Sequence, residues 1–161
     1  MSHHLLKRLK KYGVNKVCEP FCGVGGIAVH LGDQFTEYIV NDLDEEKISM
    51  LKENLKVYGK KSEKITFKNF DFLKLAPFKT DAIILCPPWG GVSIKEYTRK
   101  DPDTLMKPKL SEILEHALEF SKNIILQMPK TTNINNLINV VLRCRGLRPL
   151  FTVEKIFRNE N

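Results

Sequence analysis

Six consecutive residues, Cys86-Pro87-Pro88-Trp89-Gly90-Gly91, have the chemistry to hold a flat ring by its exocyclic amine. Pro87 and Pro88 fix φ and carry no N–H, so their carbonyls stand as acceptors with little freedom to lose. Trp89 presents a wide π face, worth about 1–3 kcal/mol against a stacked base. Gly90 and Gly91 allow backbone to come close to a ligand. The same residues could equally form a Pro-Pro turn that buries its tryptophan, a common fate for Trp. Alone, they do not choose between a base clamp and a core turn.

Three further clusters carry polar chemistry. Glu19-Pro20-Phe21-Cys22-Gly23-Val24-Gly25-Gly26 is a glycine-rich turn with an acid just before it. Such a turn lets a cofactor lie against backbone N–H groups, but by itself it is a weak signal. Glu19 disfavours a pyrophosphate and suits an ammonium group, which points away from a dinucleotide and toward S-adenosylmethionine. Asp42 is placed to accept the two hydroxyls of a ribose, while Asp44, two residues on, reads as a helix cap. Asp71 could accept from an adenine amino group with Phe72 packed beside the ring. Its alternative is a loop aspartate bonding its own backbone.

These residues need elements that bring them together. Leu5, Leu6 and Leu9 fall at helical spacing among Lys7, Arg8, Lys10 and Lys11, giving a short amphipathic helix ended by Gly13, its basic face solvated. Strands are expected at 14–21, 38–41, 65–70, 81–86, 124–128 and 150–157. Helices are expected from the glycine-rich turn to about Gly32, and at 45–58, 110–120 and 134–145. Residues 93–109 read as a long polar loop, of a length that suits a lid. Strands alternating with helices predict an α/β fold, a doubly wound, mostly parallel sheet. In such sheets ligands sit beyond the carboxyl ends of the strands, where Glu19, Asp42, Asp71 and Cys86 all fall.

Bulk properties set the frame. The chain has 161 residues and no composition shift that would mark a linker, so one domain spanning 1–161 is expected. Twenty-six Lys and Arg against nineteen Asp and Glu give a net charge of +7, which favours a polyanionic partner such as RNA. No apolar run approaches about 18 residues and no secretory signal is read at the start. Cys18, Cys22, Cys86 and Cys144 are scattered, without a CxxC pair. No metal site is expected, and reduced thiols in a nuclear or cytoplasmic compartment are.

Residues 19–26, Asp42, Asp71-Phe72 and 86–91 together resemble the class I S-adenosylmethionine-dependent methyltransferases. The strongest resemblance is to the trimethylguanosine synthase family, which hypermethylates the 7-methylguanosine cap of small nuclear and nucleolar RNAs. It is carried by Phe21-Cys22-Gly23-Val24-Gly25-Gly26, by Asn54 with Val57-Tyr58-Gly59, by Asn69-Phe70-Asp71-Phe72 and by Pro87-Pro88-Trp89-Gly90-Gly91. Met128-Pro129-Lys130 followed by Asn133 adds to it, so the likeness runs from about residue 16 to 157.

The resemblance implies a Rossmann-like fold and a cofactor held by Glu19, Phe21, Cys22, Gly23, Gly25, Asp42, Asp71, Phe72 and Cys86. It implies that Cys86, Pro87, Pro88 and Trp89 carry the transfer. Trp89 and Gly90 would contact methylguanine, the carbonyl of Pro87 the amine, Lys130 the region of the cap phosphates, and Asn133 the substrate as well. Glu19 stands where the family has Asp, Cys86 where it has Ser, and Lys130 where it has Arg. The family's aromatic and basic N-terminal extension is not expected here, nor its last antiparallel strand after Phe157. The chain is expected to act as a monomer, with a partner or further segment closing the cap pocket. Two rivals stand beside this reading: another amino-group methyltransferase, acting on adenine N6 or ribosomal RNA guanine N2, and a cap-binding module without turnover.

Overall fold

A computed structural model describes residues 2–89 and 99–144. Gly90, Gly91 and the expected strand at 150–157 lie outside the described residues. Among the described residues, five strands form one parallel sheet in the order β3-β2-β1-β4-β5: β1 (Lys16–Glu19), β2 (Glu37–Asn41), β3 (Ile65–Lys68), β4 (Ala82–Leu85) and β5 (Ile124–Leu126). The helices between them are α1 (Ser2–Lys11), α2 (Ala28–Leu31), α3 (Glu45–Val57), α4 (Pro102–Leu105), α5 (Leu110–Phe120) and α6 (Ile134–Arg143).

The pleat divides the core in two. Val17, Tyr38, Val40, Ala82 and Ile84 face a cluster built with α1, α2 and α3. Cys18, Ile39, Ile83 and Leu85 face a second cluster built with α5 and α6. All four residues of β4 are buried, which accounts for its unbroken apolar run. The chain leaves β1 toward β2 and β3 on one side and reaches β4 and β5 on the other, so the switch point lies between β1 and β4.

The strands are shorter than the sequence predicts, because hydrophobic pattern does not mark where pairing stops. The β1–β2 ladder ends at Glu19↔Val40, and the β2–β3 ladder ends at Asn41↔Lys68. Pro20, Phe21, Asn69 and Phe70 therefore belong to loops. The polar stretch expected as a loop contains α4, with Asp101 capping it and Pro102 at its first position. Asn136 of α6 donates to the carbonyls of Arg99 and Lys100, and Arg143 pairs with Asp101 at 2.7 Å, fixing this stretch against α6.

Candidate functional site

The glycine-rich turn follows β1 directly. Cys22 N–H donates to the Asn41 carbonyl at 3.0 Å, and Gly25 N–H closes the turn onto the Cys22 carbonyl at 3.0 Å. Gly23 and Gly25 have φ of +53° and +90°, where a side chain is strained. A Cβ on Gly25 would also collide with Leu51 Cδ1 of α3. Asn54 of the same helix donates from Nδ2 to the Val24 carbonyl at 2.8 Å. Helix α3 thus backs the turn with one apolar and one polar contact.

Asp42 ties the second strand to this turn. Its Oδ2 accepts from Gly23 N–H at 2.9 Å and its Oδ1 from Asp44 N–H at 3.1 Å, with Lys47 Nζ at 3.9 Å. A carboxylate offers about four acceptor positions, so capacity for two ribose hydroxyls remains after these backbone bonds. Asp44 caps α3 as expected, accepting from Glu46 N–H at 3.0 Å and Lys47 N–H at 3.4 Å.

Glu19 is 1% exposed, and Oε2 accepts from the Tyr38 hydroxyl at 2.8 Å. Burial pushes its pKa up to about 8; the Tyr38 bond opposes this and the nearby Asp42 charge adds to it. Without a cation beside it, Glu19 is therefore largely neutral at pH 7. An incoming ammonium group would be met by a carboxyl ready to ionise, and the donor set fits that end of S-adenosylmethionine.

The third loop departs from expectation. Asp71 caps the short turn Phe72–Lys74, accepting from Leu73 N–H at 3.1 Å, and its carboxylate lies 3.6 Å from Lys74 Nζ. This is the local backbone bonding that a loop aspartate commonly makes, and further acceptor positions remain on the group. Phe72 does not present its ring: it is 3% exposed, packed among Phe21, His116 and Phe120. Four aromatic rings in contact exclude more water there than an open wall would, which drives the inward turn. The exposed aromatic residue of this loop is Phe70.

On the other side of the switch point, Cys86 is half-buried, Pro87 buried and Pro88 exposed. Burial raises the Cys86 thiol to about 11, with Glu19 adding to the shift, so it stays protonated at neutral pH. Trp89 takes part of both sequence readings. Its indole packs partly against the α5–α6 core, and Nε1 donates to the Gln127 carbonyl at 3.0 Å, just past β5. The ring is half-buried and pinned, which makes a platform of fixed orientation. Lys130 is exposed on the loop after β5. Asn133 caps α6 through its side-chain oxygen, on the N–H groups of Asn135 and Asn136.

Sequence reasoning assigned no role to Tyr38, Asn41, Asn54 or Asn69, each of which holds part of the site. The readable signal was polarity out of place: Asn41 closes the buried run 38–41 of β2, and Tyr38 opens it.

A sequence model of the RNA cap guanine-N2 methyltransferases matches residues 14–160. Trimethylguanosine synthase of Saccharomyces cerevisiae is 28% identical over 156 residues, covering 91% of this chain and 48% of that protein. A tRNA (guanine(10)-N2)-dimethyltransferase of Methanothermobacter thermautotrophicus is 32% identical over 76 residues, 47% of this chain and 22% of that protein. The crystal structure of magnesium protoporphyrin IX methyltransferase from Synechocystis PCC 6803, with S-adenosylmethionine bound, aligns with TM-score 0.63 at 18% identity. That alignment covers 87% of this chain and 64% of that one, and it establishes likeness of fold. The chain spans about half the length of the trimethylguanosine synthases it matches. With the family model covering nearly the whole of a doubly wound sheet whose strand ends carry these residues, the chain belongs to the RNA cap guanine-N2 methyltransferase family.

Proposed function

We propose that this chain methylates the exocyclic N2 amine of guanine in RNA, with the 7-methylguanosine cap as acceptor and S-adenosylmethionine as donor. The observation that carries the proposal is the pinned Trp89 on the Cys86-Pro87-Pro88 loop after β4, one strand away from Glu19 and the turn and two from Asp42. On this reading Asp42 takes the ribose hydroxyls, Glu19 the ammonium, Asp71 the adenine amine, and Gly23 and Gly25 leave room for the amino-acid arm. Bound there, S-adenosylmethionine supplies a sulfonium methyl group.

The residues of the chain then have two tasks. One is orientation: an amine conjugated to its ring is a weak nucleophile, and donation to a fixed carbonyl such as that of Pro87 favours the pyramidal form that attacks. Holding it in line with the methyl group is the largest contribution expected. The other is selection: N7-methylation makes the guanine cationic, and Trp89 would gain roughly 0.5–2 kcal/mol of cation–π attraction over an unmethylated cap. As the N–C bond forms the C–S bond breaks, and the amine proton passes to water. No general base is required, and the protonated Cys86 thiol has no nucleophilic part. The four free thiols suit a reducing nuclear or cytoplasmic compartment.

The test is mass analysis of a 7-methylguanosine cap dinucleotide after incubation with the chain and S-adenosylmethionine. A gain of one or two methyl masses is expected, with far less on an unmethylated cap or adenine-containing RNA. Trp89→Ala should abolish binding of the methylated cap and spare binding of the donor; equal loss of both counts against the assignment. A second reading, guanine N2 within tRNA, is favoured by the 32% identity over 76 residues with the Methanothermobacter tRNA enzyme. Preferential methylation of uncapped tRNA over the cap dinucleotide would select it.

A further inference from the structure

We infer that Asn41, whose side chain joins the loops that follow β1, β2 and β3, is a positioning residue for the cofactor half of the site. Asn41 is fully buried at the carboxyl end of β2. Its Nδ2 donates to the Pro20 carbonyl at 3.2 Å and the Phe70 carbonyl at 3.0 Å, and its Oδ1 accepts from Phe70 N–H at 3.0 Å. Its own carbonyl accepts from Cys22 N–H at 3.0 Å.

Each of these contacts lies next to a residue read as a cofactor contact. Pro20 stands between Glu19 and Phe21, Phe70 immediately precedes Asp71, Cys22 opens the glycine-rich turn, and Asn41 itself precedes Asp42. The sheet does not set their relative positions, because both ladders have ended by then: the last pairs are Glu19↔Val40 and Asn41↔Lys68. Beyond those pairs the Asn41 amide, together with the Cys22 N–H bond to the Asn41 carbonyl, joins the loops. Asn69 adds to the join, donating to the carbonyls of Asp42 and Leu43 at 2.9 and 3.0 Å.

The chemistry at this position is narrow. Two carbonyls and one N–H must be met from one side chain, out of water, and a carboxamide supplies the two donors and one acceptor in a single plane. Aspartate would set an oxygen against two carbonyls, and an apolar residue would leave all three groups unpaired, a costly arrangement in a buried place. A cofactor gripped at its ammonium, ribose and base by three loops depends on their spacing, and small misplacements are magnified in binding.

This inference rests on the reading of the carboxyl edge as the donor site, so the experiment separates the two. S-adenosylhomocysteine affinity is measured by calorimetry for the chain and for Asn41→Ala, Asp42→Ala and Val140→Ala. The last opens a core cavity beneath α6, away from the three loops, and serves as the control for lost stability. Asn41→Ala should weaken S-adenosylhomocysteine at least tenfold and raise KM for the donor while moving KM for capped RNA less than twofold. Val140→Ala should leave affinity within twofold.

Unchanged affinity in Asn41→Ala with loss in Asp42→Ala overturns the role of Asn41 alone; unchanged affinity in both overturns the site. Equal weakening by Val140→Ala reduces the effect to stability and also overturns it. Should Asn41→Ala fail to fold, amide exchange in the unaltered chain decides. The Phe70 N–H should exchange at least a hundredfold more slowly than in an open loop, and exchange at the open-loop rate refutes the join.

Discussion

Replacing Glu19 with glutamine should flatten the pH dependence of stability. The carboxyl is 1% exposed and its pKa lies at about 8, against 4.5 for the free group, with burial as the leading cause. The folded chain therefore holds this proton more tightly than the unfolded chain. Its stabilising contribution is complete below pH 4.5 and is lost as pH rises through 8. At about 1.4 kcal/mol per pH unit, the whole span is on the order of 5 kcal/mol. Roughly 3 kcal/mol of it falls between about pH 5.5 and 8.5. Glutamine keeps an oxygen to accept from the Tyr38 hydroxyl and has no proton to lose. In urea unfolding, the stability difference between Glu19→Gln and the unaltered chain should shift by roughly 3 kcal/mol toward the variant across that range. A difference that stays constant with pH would refute the claim that a buried, neutral acid sits beneath the glycine-rich turn. The same proton gives a second readout. If an ammonium pairs with Glu19 on donor binding, calorimetry at pH 7 in buffers of different ionisation enthalpy should show close to one proton released, and none in Glu19→Gln.

Gly25→Ala should lower stability by about 1–3 kcal/mol, since φ of +90° and the collision with Leu51 both resist a Cβ. It should also weaken S-adenosylhomocysteine, as the turn shifts away from α3, with thermal melting and calorimetry as the checks. Asp44→Ala removes the cap of α3 and should cost about 1 kcal/mol in urea unfolding. Its donor affinity should be unchanged, because the Asp44 contribution to Asp42 is a backbone N–H.

The order of elements was legible because each apolar run in this chain meets one environment. Ala82–Leu85, the middle of the expected run 81–86, is buried on both faces in β4, and Leu110–Phe120 forms α5 over its whole expected length. The tight turn at Gly23 and Gly25 and the place of Asp42 just past β2 were legible for a similar reason: a positive φ and a strand end are local demands that residue type reveals. Phe72 was misread because its surroundings are not local. The same side chain can line a ligand or fill a core, and His116 and Phe120, more than forty residues on, decide for the core. Tyr38 and Asn41 were passed over as strand residues. Their work lies across the sheet, with Glu19 nineteen residues away and Phe70 twenty-nine, and no periodicity records such a pairing.

The two edges of the sheet use one device to different ends. At the amino edge, Asp81 accepts from the N–H groups of Asn15 and Lys16 at 2.9 and 2.8 Å, while Ser121 and Asn123 donate to its carbonyl. Those backbone bonds hold the exposed Asp81 carboxyl below its usual range and tie β1, β4 and β5 together where no site residue lies. At the carboxyl edge, Asn41 and Asp42 likewise bridge loops that the ladders no longer reach, but beside a buried acid that lacks a positive partner within the chain's described residues. An edge built only for stability would place a neutral side chain at residue 19, since isolated buried carboxyls are costly. Retaining one there, fixed by Tyr38 and surrounded by aligned loops, makes sense if a cation arrives from outside. That is why the stability gained by Glu19→Gln and the donor affinity it loses should appear in the same variant.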